Sequence, residues 1–270
     1  MRRWGAGCVW RVPGPRVPGG RGGAWRGRWT GLSSRYGLAG RVLAAAGGDA
    51  RELPGRLCEV LCEGVPVDGA TLSLMTHTPA RYLLGASDPV ARKLEEVQFL
   101  TGEGPCVTAA ATGKPVVVPD FRRPLERWPL FEAGLQAPLA RMGAVYAFPL
   151  AIGDQVLGAA DLIRREPMTP DEETVAEMAT AVRMTAAVLL PALPALLPGY
   201  GLSPEETARA DRAGAHWDTT HQAAGKLAGQ LGISTQEALA RLRGHAFSTG
   251  RSLPHVAQDV LGPPRDQPDT

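Results

Sequence analysis

The chain lacks the features that define membrane proteins and secreted disulfide scaffolds. No uninterrupted apolar run approaches the ~20 residues that are needed to cross a bilayer, so we expect no membrane span. The four cysteines are Cys8, Cys58, Cys62 and Cys106. Their scattered positions do not form a disulfide framework, and they favour free thiols in a reducing cytosol.

The chain also has little net charge and no recognisable catalytic motif. The 29 Lys and Arg nearly balance the 27 Asp and Glu, for a net charge of +2. The whole chain therefore has no strong field for polyanions. The glycines of 101–105 are not followed by Lys-Ser or Lys-Thr, which excludes a phosphate-binding P-loop. Four of the five histidines lie beyond residue 215, and no Ser-His-Asp order accompanies them. We expect no enzymatic activity, no bound metal and no cofactor.

The first 37 residues differ in composition from the rest. Up to Arg35 there are eight arginines and no acidic residue, with glycine and proline throughout. Such a segment cannot bury a core, so we expect residues 1–37 to be disordered. Its arginines and tryptophans could hold phosphates and stack on unpaired bases. Alternatively, the segment is an upstream start-codon extension or unselected GC-rich coding sequence. No apolar stretch follows the arginines, so we do not expect a signal peptide.

Residues 38–190 alternate between helical and strand patterns. The predicted helices are 51–63, 104–113 and 169–190, and the predicted strands are 70–75, 81–86, 115–119, 144–150 and 155–163. Strands paired by hairpins, with helices before and after them, indicate an α+β fold in which an antiparallel sheet carries helices on one face.

This region resembles a GAF domain. The motifs that carry the resemblance are Val67-Asp68-Gly69-Ala70, Gly102-Glu103-Gly104-Pro105-Cys106, Gly113-x-Pro115, Pro119-Asp120, Arg127-Trp128-Pro129, Phe148-Pro149-Leu150 and Gly158-Ala159. The resemblance implies a sensory module that binds small molecules in a pocket between sheet and helices, or a dimerisation platform that binds nothing. We expect a noncovalent ligand or none, and a homodimer.

The cysteines of this region each allow two interpretations. Cys106 begins a predicted helix, where the helix dipole would lower the thiol pKa. It could be a redox-sensing thiol or the nucleophile of a GAF-type sulfoxide reductase, but a small buried residue packing the helix onto the sheet is favoured. Cys58 and Cys62 are one helical turn apart. They could begin a zinc site, but two core cysteines is the favoured interpretation.

Three further residues border the expected pocket. Asp120 and Asp161 lie beside or inside strand segments, where either could accept a ligand hydrogen bond. Solvated carboxylates at loop edges are nevertheless commoner. Trp128 could form a wall of the pocket or cover the core, and the sequence does not separate the two.

The rest of the chain is a proline-rich linker, 191–202, followed by a helical segment, 203–262, and a tail, 263–270, that we expect to be disordered. Proline cannot continue the helix that leaves residue 190, so a continuous coiled coil between the two regions is not expected. Gly232 ends the first of three helices in 216–261, and Ser234 with Glu237 forms a capping box for the second. Ser252 caps the third, with Pro254 in its first turn.

The second of these helices has one buried and one polar side. Ala238, Leu239, Leu242 and Ala246 recur at helical spacing. The segment resembles the ANTAR domain through Gln222-Ala223-x-Gly225-x-Leu227, Gln230-Leu231-Gly232-Ile233-Ser234, Glu237-Ala238-Leu239, Leu242-Arg243, His245-Ala246-Phe247, Gly250-Arg251-x-Leu253 and Val256-Ala257. The resemblance implies a module that binds paired stem-loops in nascent mRNA and keeps a transcription terminator from forming.

Together the two resemblances imply a cytosolic regulator in which a GAF-like sensor controls an ANTAR-like RNA-binding module. We expect structured RNA to bind through Arg241, Arg243, His245 and Arg251, with Arg243 nearest the core edge. The alternative is a GAF-type small-molecule enzyme or thiol redox sensor whose helical tail only dimerises it.

Overall fold

The computed structural model describes residues 35–75, 81–135, 139–196 and 219–262. The strands are β1 Gly69–Met75, β2 Arg81–Ala86, β3 Val116–Val118, β4 Ala144–Ile152 and β5 Gln155–Arg164. The helices are α1 Arg35–Ala45, α2 Leu53–Gly64, α3 Pro89–Thr101, α4 Pro105–Thr112, α5 Pro129–Gly134, α6 Glu172–Leu189, α7 Leu193–Leu196, α8 over the described residues 219–231, α9 Thr235–Thr249 and α10 Leu253–Leu261. Two expectations concern residues outside this description: the disorder of residues 1–34 and 263–270, and the linker and first helical residues over 197–218.

The five strands form one antiparallel sheet in the order β2-β1-β5-β4-β3. β4 and β5 form a hairpin whose turn contains Gly153 at a φ of +57°. Gly158 of β5 lies directly against the backbone of Ser73 in β1, so any side chain there would collide with the neighbouring strand. The sheet with α1 to α7, residues 35–196, is the sheet domain.

Helices cover both faces of the sheet. Tyr146 and Phe148 of β4 pack towards α1, α2 and α6, while Val145 and Ala147 pack towards α3 and α4. The expectation of helices on one face is therefore wrong. Nearly every residue of β4 is apolar, and successive side chains of a strand point to opposite faces, so both faces need a cover. The predicted α+β class with an antiparallel sheet flanked by helices is confirmed.

The first helix begins slightly earlier than the boundary at residue 38 that the sequence indicated. α1 starts at Arg35 and packs on α2 and α6. Cys58 and Cys62 of α2 are both buried in the core beneath α1 and α6, which agrees with their favoured interpretation as two core cysteines.

α3, Pro89–Thr101, is not among the helices predicted from the sequence. Its N-cap is Asp88, whose carboxylate accepts hydrogen bonds from the backbone N–H groups of Val90 and Ala91 at 2.7 and 2.9 Å. Pro89 occupies the first turn, and Gly102 ends the helix at a φ of +70°. These are ordinary start and stop signals, so the sequence contained the evidence for α3.

α8, α9 and α10 form an all-helical unit, the helical module, over residues 219–262. Gly232 follows α8 at a φ of +64°. Ser234 Oγ accepts the N–H of Glu237 at 3.1 Å, which is half of the predicted capping box. The Glu237 carboxylate pairs with Arg241 at 2.7 Å. The predicted stripe of Ala238, Leu239, Leu242 and Ala246 is buried.

One stretch among the described residues, Glu172–Leu196, is long and apolar enough to cross a membrane, by length and composition alone. Met178 and Val182 on its inner side pack in the core between α1, α2 and β4. The stretch therefore consists of α6, which is a core helix of the sheet domain, and of the short helical residues that follow it up to Leu196.

Candidate functional site

Five polar side chains meet beneath the sheet on the side of α3 and α4. This buried charged cluster consists of Arg81, Glu95, Gln98, Cys106 and Asp161, all of them buried. The Arg81 guanidinium forms an ion pair with Glu95 and donates a hydrogen bond to Cys106 Sγ at 3.1 Å. The positive charge of Arg81 thus lies directly between a carboxylate and a thiol.

Gln98 holds the other half of the cluster together. Its Nε2 donates to Asp161 Oδ2 at 2.5 Å and to Glu95 Oε2 at 3.3 Å. Its Oε1 accepts the N–H of Cys106 at 2.8 Å, which ties the start of α4 to α3. Ser73 Oγ donates to Glu95 Oε1 at 2.5 Å. Each side chain is therefore fixed by at least one neighbour from another element.

Burial and like charge decide the protonation of the acidic groups. Desolvation, followed by repulsion from Glu95, raises the pKa of Asp161 to about 8. Desolvation, again followed by the nearby carboxylates, raises the pKa of the Cys106 thiol well above its ordinary value. Burial alone would lower the pKa of Arg81, but the combined attraction of Glu95, Cys106 and Asp161 outweighs it and raises that pKa. At neutral pH, Asp161 and Cys106 therefore carry their protons while Arg81 remains charged.

These values limit the chemistry of Cys106. The thiolate is the nucleophilic and metal-binding form of cysteine, and this environment opposes its formation. The helix-dipole argument for a lowered thiol pKa is wrong here, because burial and two carboxyl groups outweigh the start of a short helix. The favoured interpretation of Cys106 as a buried packing residue agrees with this position.

The cluster resembles a metal site only in its residue types. Glu95, Cys106 and Asp161 have ligand atoms within 4.8 Å of one another. However, the Arg81 guanidinium already contacts two of these three residues. A divalent ion would bring a second cation against it, so the arrangement fits a guanidinium better than a metal.

The two aspartates that the sequence singled out have different surroundings. Asp161 lies inside β5 opposite Thr71 and is completely buried, so its interpretation as a solvated loop-edge carboxylate is wrong. Strand pairing places it in the middle of the sheet, where α3 covers it. Asp120 lies after β3, and its Oδ1 accepts the N–H of Arg122 at 3.1 Å.

Trp128 both covers the core and lines a groove. Its ring meets Phe131 edge-on at 6.4 Å, and its Nε1 donates to Thr108 Oγ1 at 2.9 Å. The same side chain borders an open groove of about 450 Å³ beside β3, which Asp120 and Arg127 also line. The groove is separate from the buried charged cluster.

Three of the four predicted RNA-binding residues are exposed. Arg241 and His245 lie one turn apart on the outer side of α9. Arg251 follows the C-cap Gly250 and pairs with Asp259 of α10 at 2.6 Å. The ion pairs of Arg241 with Glu237 and of Arg251 with Asp259 are both about half exposed. Such pairs contribute little free energy, so either arginine can release its carboxylate to bind a phosphate.

Arg243 is placed differently. Two residues along a helix rotate the side-chain direction by about 200°, which carries Arg243 away from Arg241 and towards the sheet domain. Its guanidinium carbon lies 4.7 Å from the centre of the Phe99 ring in α3. Desolvation, with a smaller repulsion from Arg81, lowers the pKa of Arg243 to about 10.

The residues that join the sheet domain to the helical module were not predicted from the sequence. Glu95 and Gln98 of the buried charged cluster belong to α3, as does Phe99. Arg81 connects that cluster to the helical module, because its backbone N–H donates to His221 Nε2 at 3.2 Å. The capping signals of α3 could have identified the helix. Nothing in the local pattern reveals that Arg81 meets a residue 140 positions later.

Comparison with protein families gives two matches. The GAF domain model matches residues 49–187, and the ANTAR domain model matches residues 208–261. The first covers about half of the chain, so the chain belongs to the GAF domain family, with an ANTAR domain at its C-terminal end. The resemblances that the sequence motifs indicated are confirmed. The protein is a regulator that joins a sensor domain to an RNA-binding output domain.

Several solved structures are similar to the sheet domain. The GAF domain of a phosphoenolpyruvate-protein phosphotransferase from Coxiella burnetii is 18% identical, with a TM-score of 0.46 over 60% of this chain and 96% of that one. The corresponding domain from Acinetobacter is 12% identical, with a TM-score of 0.46 over 59% of this chain and 94% of that one. A free methionine-R-sulfoxide reductase from Neisseria meningitidis is 16% identical, with a TM-score of 0.44 over 60% of this chain and 89% of that one. No curated protein matches the chain.

Proposed function

We propose that this protein is a cytosolic antitermination regulator: the helical module binds paired stem-loops in nascent mRNA and keeps a terminator from forming, under the control of the sheet domain. The observation that carries the proposal is the ANTAR match over residues 208–261, followed by the exposed basic side of α9. A homodimer would present one module to each stem-loop of a pair.

The exposed residues suit RNA loops more than a uniform duplex. Arg241, His245 and Arg251 offer donors for phosphates and for the edges of unpaired bases, which duplex RNA hides in its deep groove. The net charge of the chain is only +2, so affinity must come from these local contacts.

We further propose that the sheet domain senses without catalysing a reaction. The only cysteine of the buried charged cluster keeps its proton, and Arg81 lies against its sulfur. This environment argues against the alternative of a sulfoxide reductase or thiol redox sensor. A ligand of the sheet domain, if one binds, would be noncovalent.

The test is a gel-shift titration of the full chain on a leader RNA with two adjacent stem-loops, at several salt concentrations. Arg241→Ala together with Arg251→Ala should weaken binding and reduce the slope of log K against log salt by about 2. Arg122→Ala is the matched control, since Arg122 forms an equally exposed ion pair with Glu166 on the sheet domain. Binding of the double variant equal to that of the parent would exclude this side of α9 as the RNA site.

A second pair of variants separates folding from binding. Leu242→Asp buries an unpaired charge and should unfold the helical module, with loss of RNA binding and of helical circular dichroism. Leu231→Asp makes the same change at an exposed leucine and should leave both signals close to the parent's. Sedimentation of the parent at several concentrations checks the homodimer.

A further inference from the structure

The helical module packs directly on the sheet domain. Leu83 of β2 and Phe99 of α3 belong to the same apolar cluster as the core of α8, α9 and α10. The His221 ring of α8 contacts the Phe99 ring edge-on at 5.9 Å and the Tyr82 ring at 5.5 Å. α3, which contributes Glu95 and Gln98 to the buried charged cluster, is therefore also the docking surface for α8 and α9.

Arg243 is at the centre of this docking surface. Besides lying over the Phe99 ring, its Nη1 is 3.4 Å from the position that a Cβ on Gly102 would take. Gly102 is the C-cap of α3, so the guanidinium also lies near the negative end of that helix dipole. These contacts hold Arg243 in place on the sheet domain.

The same contacts leave the charge of Arg243 poorly compensated. No carboxylate pairs with Arg243 among the described residues, and its buried Nε has no hydrogen-bond partner there. A desolvated cation without an acidic partner is costly, and an apolar residue of similar size would dock more stably. The interface thus contains a residue whose chemistry suits an anion better than it suits α3.

A second residue extends this side of α9. Phe247 is one turn after Arg243 and is 40% exposed, beyond the edge of the docking surface. An arginine and an aromatic ring at this spacing are the side chains that hold phosphates and stack on unpaired bases. Such a pair of residues can bind RNA only when Arg243 leaves Phe99.

We propose that Arg243 and Phe247 form an RNA-binding surface, that the sheet domain covers the Arg243 part of it, and that α3 and RNA compete for Arg243. The inference rests on the proposed function, since it assumes that the helical module binds RNA. The docked state is then an inhibited state: it offers RNA only Arg241, His245 and Arg251, whereas the open state adds Arg243 and Phe247. The apparent RNA affinity therefore rises with the open fraction of the protein.

The first test weakens the contact between α3 and Arg243 while it keeps an apolar side chain at that position. Phe99→Leu in the full chain removes the ring beneath Arg243 and keeps an apolar side chain there. RNA affinity should rise about tenfold, the range of a desolvated cation–π contact. Amide hydrogen exchange of α9 should accelerate. Phe131→Leu is the matched control: it changes an equally buried ring that packs on Phe121 and Trp128, away from the helical module. It should change neither measurement.

The second test asks what Arg243 does once it is released. Arg243→Gln added to Phe99→Leu should lose the gain in RNA affinity, because the side chain that binds phosphate is gone. Phe247→Leu in the same background should lose a part of it. Equal RNA affinity of Phe99→Leu and Phe131→Leu would overturn the proposed masking. A gain that persists after Arg243→Gln would overturn Arg243 as the competing residue.

The two proposals fail in different ways. If no variant binds the two-stem-loop RNA, the proposed function fails and this inference fails with it, whatever the hydrogen exchange shows. If the parent binds RNA and the Phe99→Leu chain binds it no better, the proposed function stands and the masking alone is wrong. RNA affinity that rises together with α9 exchange supports both.

Discussion

Asp161 shows how a single buried carboxyl makes stability depend on pH. Its pKa is about 8 in the folded chain, because burial and Glu95 oppose its ionisation, against an ordinary value of 3.8. The folded state therefore holds a proton between about pH 4 and pH 8 that the unfolded state has released. The stabilisation from this group is complete below pH 4 and is lost as the pH rises through 8.

Replacing Asp161 by Asn should remove this dependence, because an amide keeps the shape of the protonated carboxyl and does not ionise. The free energy of unfolding of Asp161→Asn, relative to the parent, should increase by more than about 1 kcal/mol between pH 5 and pH 8. Urea titrations across that range measure it. Asp154→Asn, in the exposed β4–β5 turn, is the control and should show a constant difference. A constant difference for Asp161→Asn as well would contradict the assignment.

At the scale of elements, the strands and caps were predictable from the sequence because their signals are local. Two apolar-rich runs separated by a short turn identified β4 and β5, and Gly232 and Ser234 set the end of α8 and the start of α9 as expected. α3 was missed although its caps are equally local. The neighbours of its side chains could not be predicted, because they depend on which strands and helices pack together.

For the RNA-binding candidates, too, local spacing predicts which residues are exposed and does not predict which of them another domain contacts. Helical spacing alone placed Arg241 and His245 on the outer side of α9, away from the buried stripe. The same spacing does not show that a second domain covers the side with Arg243, because that contact joins residues far apart in the chain. The RNA-binding roles of all four residues stay predictions.

Two glycines of α9 should respond to alanine in opposite directions. Gly244 is inside the helix with nothing within 4 Å of an added Cβ, so Gly244→Ala should stabilise the helical module by up to about 1 kcal/mol. Gly250 is the C-cap with a φ of +65°, where Gly250→Ala should cost about 1–2 kcal/mol. Urea unfolding followed by circular dichroism measures both. The same sign for the two changes would contradict this account of the helix end.

At the scale of the whole molecule, the poorly compensated charge of Arg243 predicts that an apolar substitution strengthens the docking of the two domains. Arg243→Met should raise the free energy of unfolding by about 1 kcal/mol or more, since it removes a desolvated cation and keeps contact with Phe99. It should also weaken RNA binding. Thermal unfolding of the full chain measures the first effect, and the gel-shift titration measures the second.

Arg241→Met is the control for this change. It alters the same residue type on the exposed side of α9 and should change the free energy of unfolding by no more than about 0.5 kcal/mol. Destabilisation by Arg243→Met would show that the guanidinium contributes more to docking than its surroundings indicate.

Arg81 belongs to both halves of the protein, since its side chain lies in the buried charged cluster while its backbone N–H reaches His221. Any coupling between two binding sites acts equally in both directions. If the sheet domain binds a ligand, a transcript that draws α8 and α9 away from α3 would change the affinity for that ligand by the same factor by which the ligand changes the affinity for RNA. The regulated message would then be an effector of its own sensor, and the signal level that triggers the response would depend on how much target RNA the cell contains.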